Sequence, residues 1–155
     1  MSKQPVPDTE STVDREFVHS RLVDAPRERV FRAFAEPEHL ARWWGPNGFT
    51  STFQEFELRP GGHWRFVMHG PDGTDYPNES VFLEVAAPER VVLEHLSESH
   101  HFFMYITFTA QGSKTLVGWR QVFDTAVHKE RVASIVSEAN EQNLSRLATE
   151  VLSVK

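Results

Sequence analysis

The chain carries eight histidines and no cysteine in 155 residues. Side-chain chemistry near neutral pH therefore falls to imidazoles and carboxylates, and disulfides, zinc–thiolate centres and thiol nucleophiles are excluded. Three of the histidines crowd into "VVLEHLSESHHFFMYITF" (91–108): His95, His100 and His101. Such a group could hold a metal ion, move a proton or sit on a hairpin without function, and side-chain direction decides among these. A hairpin centred on Glu98-Ser99 sets His95 opposite Phe102, puts His101 opposite Leu96 on the other face and leaves His100 in the turn. The three then point apart, no paired-histidine helix motif occurs elsewhere, and neither a metal site nor a cofactor is expected.

His95 remains as the candidate acid or base, and its neighbours depend on the strands beside it. Centring the next hairpin on Gln111-Gly112 pairs Phe108 with Thr115, Ile106 with Val117, Met104 with Trp119 and Phe102 with Gln121. Both registers then share one mainly apolar face. Val91, Ile106 and Val117 form its dry layer, Leu93, Met104 and Trp119 the next, and His95, Phe102 and Gln121 its polar end. In "GGHWRFVMH" the alternation puts Trp64, Phe66 and Met68 on one side, taken as this same face. The nearest candidate carboxylate is Glu84, but an "AAPER" connection points Val81, Leu83 and Val85 inward and Glu84 outward. The outer face gathers Val92, Leu96, Phe103 and Tyr105, an apolar patch that either meets a partner or a second copy of the chain or is covered by loops or the N-terminal tail.

The elements that hold these residues follow from periodicity and turn signals. "REFVHSRLV" reads as a first strand. "DAPRERVFRAFAEPEHLARWW" reads as two short helices, with Asp24 as N-cap, a break at Pro37, and Trp43 and Trp44 pinning the helices to the sheet's rim. From 49 to 123, turns at "RPGG", "GPDG", "AAPER", "SESH" and "QGS" separate about six antiparallel strands, with Gly61 and Gly62 read as a turn rather than a phosphate cradle. From about 125 to 152 a long helix places Val132, Ile135, Val136, Ala139, Leu144, Leu147 and Val151 on one face. Asn140 and Asn143 fall inside that stripe, where two amides need partners.

A net charge of -6 with no Lys/Arg-rich block argues against nucleic acid as a partner. No apolar run suits a signal peptide or a membrane span, so a cytoplasmic protein is expected. Residues 1–14 read as a flexible tail and 15–155 as a single domain.

"APRERVFRAFAEPEHLARWWGPNGF", "LRPGGHWRFVMHGPDG", "EVAAPERVVLEH" and "NEQNLSRL" resemble successive signatures of bacterial proteins similar to the C-terminal domain of the activator of heat-shock protein 90 ATPase, within the START-like, polyketide-cyclase-like superfamily. The resemblance spans roughly residues 15 to 152. It implies an α+β helix-grip fold: a seven-stranded antiparallel sheet wrapped around a long C-terminal helix, two short helices between strands one and two, and an internal cavity. Three functions are then open. The first is binding of a small apolar or aromatic molecule by Trp64, Phe66, Met68, Leu93, His95, Phe102, Met104, Trp119, Gln121, Asn140 and Asn143. The second is a cyclase, dehydratase or hydrolase using His95 as acid or base, which requires a titratable partner beside it. The third is a co-chaperone-like interaction module with a chaperone partner.

Overall fold

The computed structural model describes residues 11–155; the greater part of the expected N-terminal tail, 1–10, lies outside the described residues. Thr12 is buried, and Val13–Arg15 form a short 3-10 turn. There follow β1 (Glu16–Val23), α1 (Arg27–Ala35), α2 (Pro37–Trp43), β2 (Thr50–Phe56), β3 (His63–His69), β4 (Asp75–Ala86), β5 (Arg90–His95), β6 (Phe102–Gln111), β7 (Lys114–Phe123) and α3 (Ala126–Glu150). The seven strands form one antiparallel sheet in the order β1-β7-β6-β5-β4-β3-β2. β1 thus closes back onto β7, and the two helices that follow it cross one end of the sheet. This is the helix-grip arrangement that the sequence implied.

Local chemistry sets the helix boundaries. Pro37 opens α2 at its first position, where a missing N–H costs nothing. Gly45, at φ 111°, turns the chain out after Trp44. Asp24 does not cap α1 as expected. The N-cap is Pro26, with no side-chain cap, because the proline starts the helix two residues later. At α3 the Thr125 hydroxyl accepts from the His128 backbone N–H, a standard N-cap.

The β5–β6 hairpin has the expected register, with His95 opposite Phe102, Leu93 opposite Met104 and Val91 opposite Ile106. The β6–β7 hairpin differs. Its turn is Gly112-Ser113, with Gly112 at φ 63°, so Phe108 faces Val117, Ile106 faces Trp119, Met104 faces Gln121 and Phe102 faces Phe123. A slip of two residues keeps every side chain on its face but moves Gln121 one layer inward. In β4 a bulge between Phe82 and Glu84 changes the phase. Phe82, not Val81 or Leu83, is buried in the main core, Leu83 packs on the opposite face, and Val85 packs inward. Glu84 is exposed as expected and pairs with Arg90 at 3.3 Å.

The main core is aromatic. Trp64 stacks between Phe66 (ring centroids 4.6 Å apart) and Phe82 (6.0 Å), while Phe34, Trp44, Phe53 and Phe56 meet its edges. The Trp43 indole donates to Ala33 O at 2.9 Å, fastening α2 to α1. Leu144, Leu147 and Val151 seal this region. The other half of the α3 stripe is not sealed: Ile135 is 72% exposed, against expectation, and Val132 and Val136 are only partly buried. The outer-face residues Val92, Phe103 and Tyr105 are covered rather than exposed, at 3%, 4% and 7%. With Val122 and Leu83 they form a second cluster, and the Arg120 and Arg90 guanidinium groups lie over the Tyr105 ring.

Candidate functional site

Between the middle of α3 (135–143) and the inner face of the sheet lies a cavity of about 390 Å3, within the range of small-molecule sites. Its floor comes from alternate residues of five strands: Phe66 and Met68 of β3, Asn78 and Ser80 of β4, Leu93 and His95 of β5, Phe102 and Met104 of β6, and Trp119 and Gln121 of β7. Val136, Ala139, Asn140 and Asn143 of α3 form the roof. Gly45, Pro46 and Phe49 of the α2–β2 loop, with Tyr76 and the exposed Ile135, also line it.

Ten of the eleven residues expected to bind a ligand line this cavity. Trp64 does not: at 0% exposure it is enclosed by other rings. Sequence reasoning did not assign Ser80, Asn78 or His100 to it. The first two precede Phe82 at alternate positions, so the correct phase for β4 would have found them. His100 was assigned to the turn, and nothing in the sequence says that its ring turns inward. Val136 and Ala139 were read as helix core, although their i+4 relation to Asn140 and Asn143 places all four on one wall.

The polar groups divide into those the protein satisfies and those it does not. The Asn143 amide donates to Trp43 O at 2.8 Å, capping a carbonyl at the end of α2. Its amide N–H therefore serves the helix junction. Asn140 Nδ2 donates to Gln121 Oε1 at 3.0 Å. His95 lies flat against Phe102, with ring centroids 4.6 Å apart and planes 14° apart. Among the described residues no hydrogen bond reaches either of its ring nitrogens, or the Ser80 hydroxyl. Burial pushes the His95 pKa down to about 4, with the neighbouring His100 and His101 adding to the effect, so the ring is neutral at pH 7.

The neighbouring histidines part company. His100 turns toward α3, and its Nδ1 lies 3.0 Å from His128 Nε2, so one ring donates to the bare nitrogen of the other. Burial lowers both pKa values, and each ring is lowered further by a neighbouring positive group. His101 turns to the outer face, with Nε2 2.7 Å from the fully buried Glu94 and Nδ1 2.8 Å from Asp124. These contacts tie the β5–β6 hairpin to the start of α3. Among the described residues no group of three His, Asp or Glu side chains is arranged to hold a metal ion, and no Asp or Glu lines the cavity. The titratable group nearest to His95 in the cavity wall is another imidazole, His100, at 6.0 Å between ring centroids.

The α2–β2 loop is held from behind by two side chains of α3, Gln142, whose Oε1 accepts from Asn47 N–H at 3.0 Å, and above all Arg146. Arg146 of α3 donates through Nη1 to Gly45 O and Pro46 O, both at 2.8 Å, and through Nη2 to Arg42 O at 2.7 Å and Phe49 O at 3.0 Å. A planar guanidinium suits this fan of carbonyls, and the cavity's loop wall depends on it.

Solved structures share this architecture. A protein from Nitrosomonas europaea superposes with a TM-score of 0.85 over 95% of this chain and 100% of its own, at 21% identity. One from Arthrobacter aurescens gives 0.85 over 93% and 90% at 20% identity. One from Chromobacterium violaceum gives 0.76 over 88% and 96% at 25% identity. No curated protein is significantly similar to the chain. Among the described residues no helix is long and apolar enough to cross a membrane. Residues 24–151 match the model of the Activator of Hsp90 ATPase homolog 1-like family, and with the fold and cavity above, the chain belongs to that family.

Proposed function

We propose that this protein binds a small hydrophobic or aromatic molecule between α3 and the sheet. The observation that carries the reading is His95: a partly buried imidazole in the wall of a cavity of about 390 Å3, with no hydrogen bond to either ring nitrogen among the described residues. Its ring nitrogens are not sealed in protein but open to the cavity, where they can pair with a ligand's polar end. The apolar walls from Phe66, Met68, Leu93, Phe102, Met104 and Trp119 support an apolar or aromatic body. The acid–base alternative finds less support, because no carboxylate lines the cavity and a ring with a pKa of about 4 is not a general acid at neutral pH.

The test is thermal unfolding with a panel of aromatic and aliphatic compounds, run on the parent and on Ala139→Phe, which fills the roof. A ligand at a hundred times its Kd adds about 2.7 kcal/mol, or roughly 5–10 °C for a domain of this size. The shift is expected in the parent and not in the filled variant. Equal shifts in both would place binding elsewhere and remove the proposal.

A further inference from the structure

The cavity's polar end is built without charge. Among the described residues its lining contains no Asp, Glu, Lys or Arg. The strongest cation nearby, Arg146, lies behind the loop with its terminal nitrogens spent on four carbonyls. Asn140 and Gln121 are both buried and bond to each other once. Whichever way the two amides are turned, that bond leaves an NH2 on one residue and a carbonyl on the other. Across the floor, on β4 and β5, the Ser80 hydroxyl and the His95 ring, each able to donate or accept, also face the cavity.

A carboxylate entering this site would lose its hydration and meet no cation, and an ammonium would meet no anion. A hydroxyl and a primary carboxamide can each donate and accept at once, matching the amide pair. Resting on the pocket reading above, we infer that the site selects uncharged molecules: an apolar or aromatic body ending in one hydroxyl or carboxamide, seated against the Gln121–Asn140 pair. Charged analogues with the same body are rejected.

The experiment is isothermal titration calorimetry near neutral pH with four para-substituted biphenyls that share one body: the phenol, the carboxamide, the carboxylate and the methylammonium. The phenol and the carboxamide are expected to bind at least tenfold more tightly than either ion. A carboxylate or ammonium that binds within tenfold of the phenol, and is blocked by Ala139→Phe, overturns charge selection while leaving the pocket in place. If no compound binds, or binding ignores Ala139→Phe, the pocket reading fails and the inference fails with it. Gln121→Glu supplies the second arm. It is expected to move the ammonium-to-phenol affinity ratio toward the ammonium by at least tenfold, and an unchanged ratio would show that Gln121 does not face the ligand's end.

Discussion

The last turns of α3 and the stretch before them cover the same sheet and do opposite things. Over the last turns, Leu144 and Leu147 close onto Trp43, Trp64, Phe34 and Phe82, and the space is filled by interlocking rings. Over the preceding stretch, from Ile135 to Asn143, Val136 and Ala139 face a cavity, Ile135 stands in solvent, and polar side chains join the rings on the floor. One helix is thus anchored by its last turns and left to roof a site with the stretch before them. Stability and binding are therefore separable along a single element.

Truncation should expose this division most strongly. Trp64→Ala, in the filled region, is expected to cost about 3–5 kcal/mol, and Leu147→Ala about 2–5 kcal/mol, measured by urea unfolding. A loss below about 1 kcal/mol at both positions would mean that the aromatic cluster is not what anchors α3.

Acid should act on the open region. The folded-state pKa of His95, about 4, lies below its ordinary value of 6.5. Between those values the unfolded chain binds more protons than the folded one, so stability falls as pH drops from about 6.5 toward 4. This one ring contributes at most about 3 kcal/mol of that loss. His100 and His128, also lowered, add in the same direction. His95→Phe is expected to flatten the stability profile across that window, and an unchanged slope would contradict the burial of the ring.

A smaller effect is expected at the loop that walls the cavity. Arg146→Ala strips four carbonyls of their donor and should cost about 2 kcal/mol. Arg146→Lys should recover little of it, since one ammonium cannot span the four oxygens. Hydrogen exchange should rise across residues 44–49 in both variants, and an undisturbed loop would show that Arg146 is not its support. Smallest of all, Ile135→Ala should lie within about 0.5 kcal/mol of the parent despite the loss of a large apolar side chain.

Much of this division was legible in the residues. The 3.6-residue stripe of α3, the turn signals between strands and the His95–Phe102 pairing each follow from local chemistry that the fold does not override. Four features were not legible, and for different reasons. A β6–β7 register displaced by two residues preserves every inside–outside assignment, so hydrophobic alternation is blind to it, and only the turn at Gly112-Ser113 distinguishes the two. The bulge in β4 reverses the facing of residues near Leu83, and no residue there has to be Gly or Pro for it to form. His100 was missed because a turn residue's direction depends on its contact with His128, 28 positions away. The filled state beneath the last turns of α3 and the open state beneath the stretch before them depend on volumes summed over several elements, which periodicity does not measure.

The most direct test is methionine-methyl NMR. Met68 and Met104 both line the cavity, from different strands. Titrating in para-phenylphenol should shift both methyl signals together and saturably, while the indole N–H signals of Trp43 and Trp64 in the filled region hold still. Saturable movement of the two indoles with both methyls unchanged, or no movement of any signal, would contradict a ligand site beneath the middle of α3.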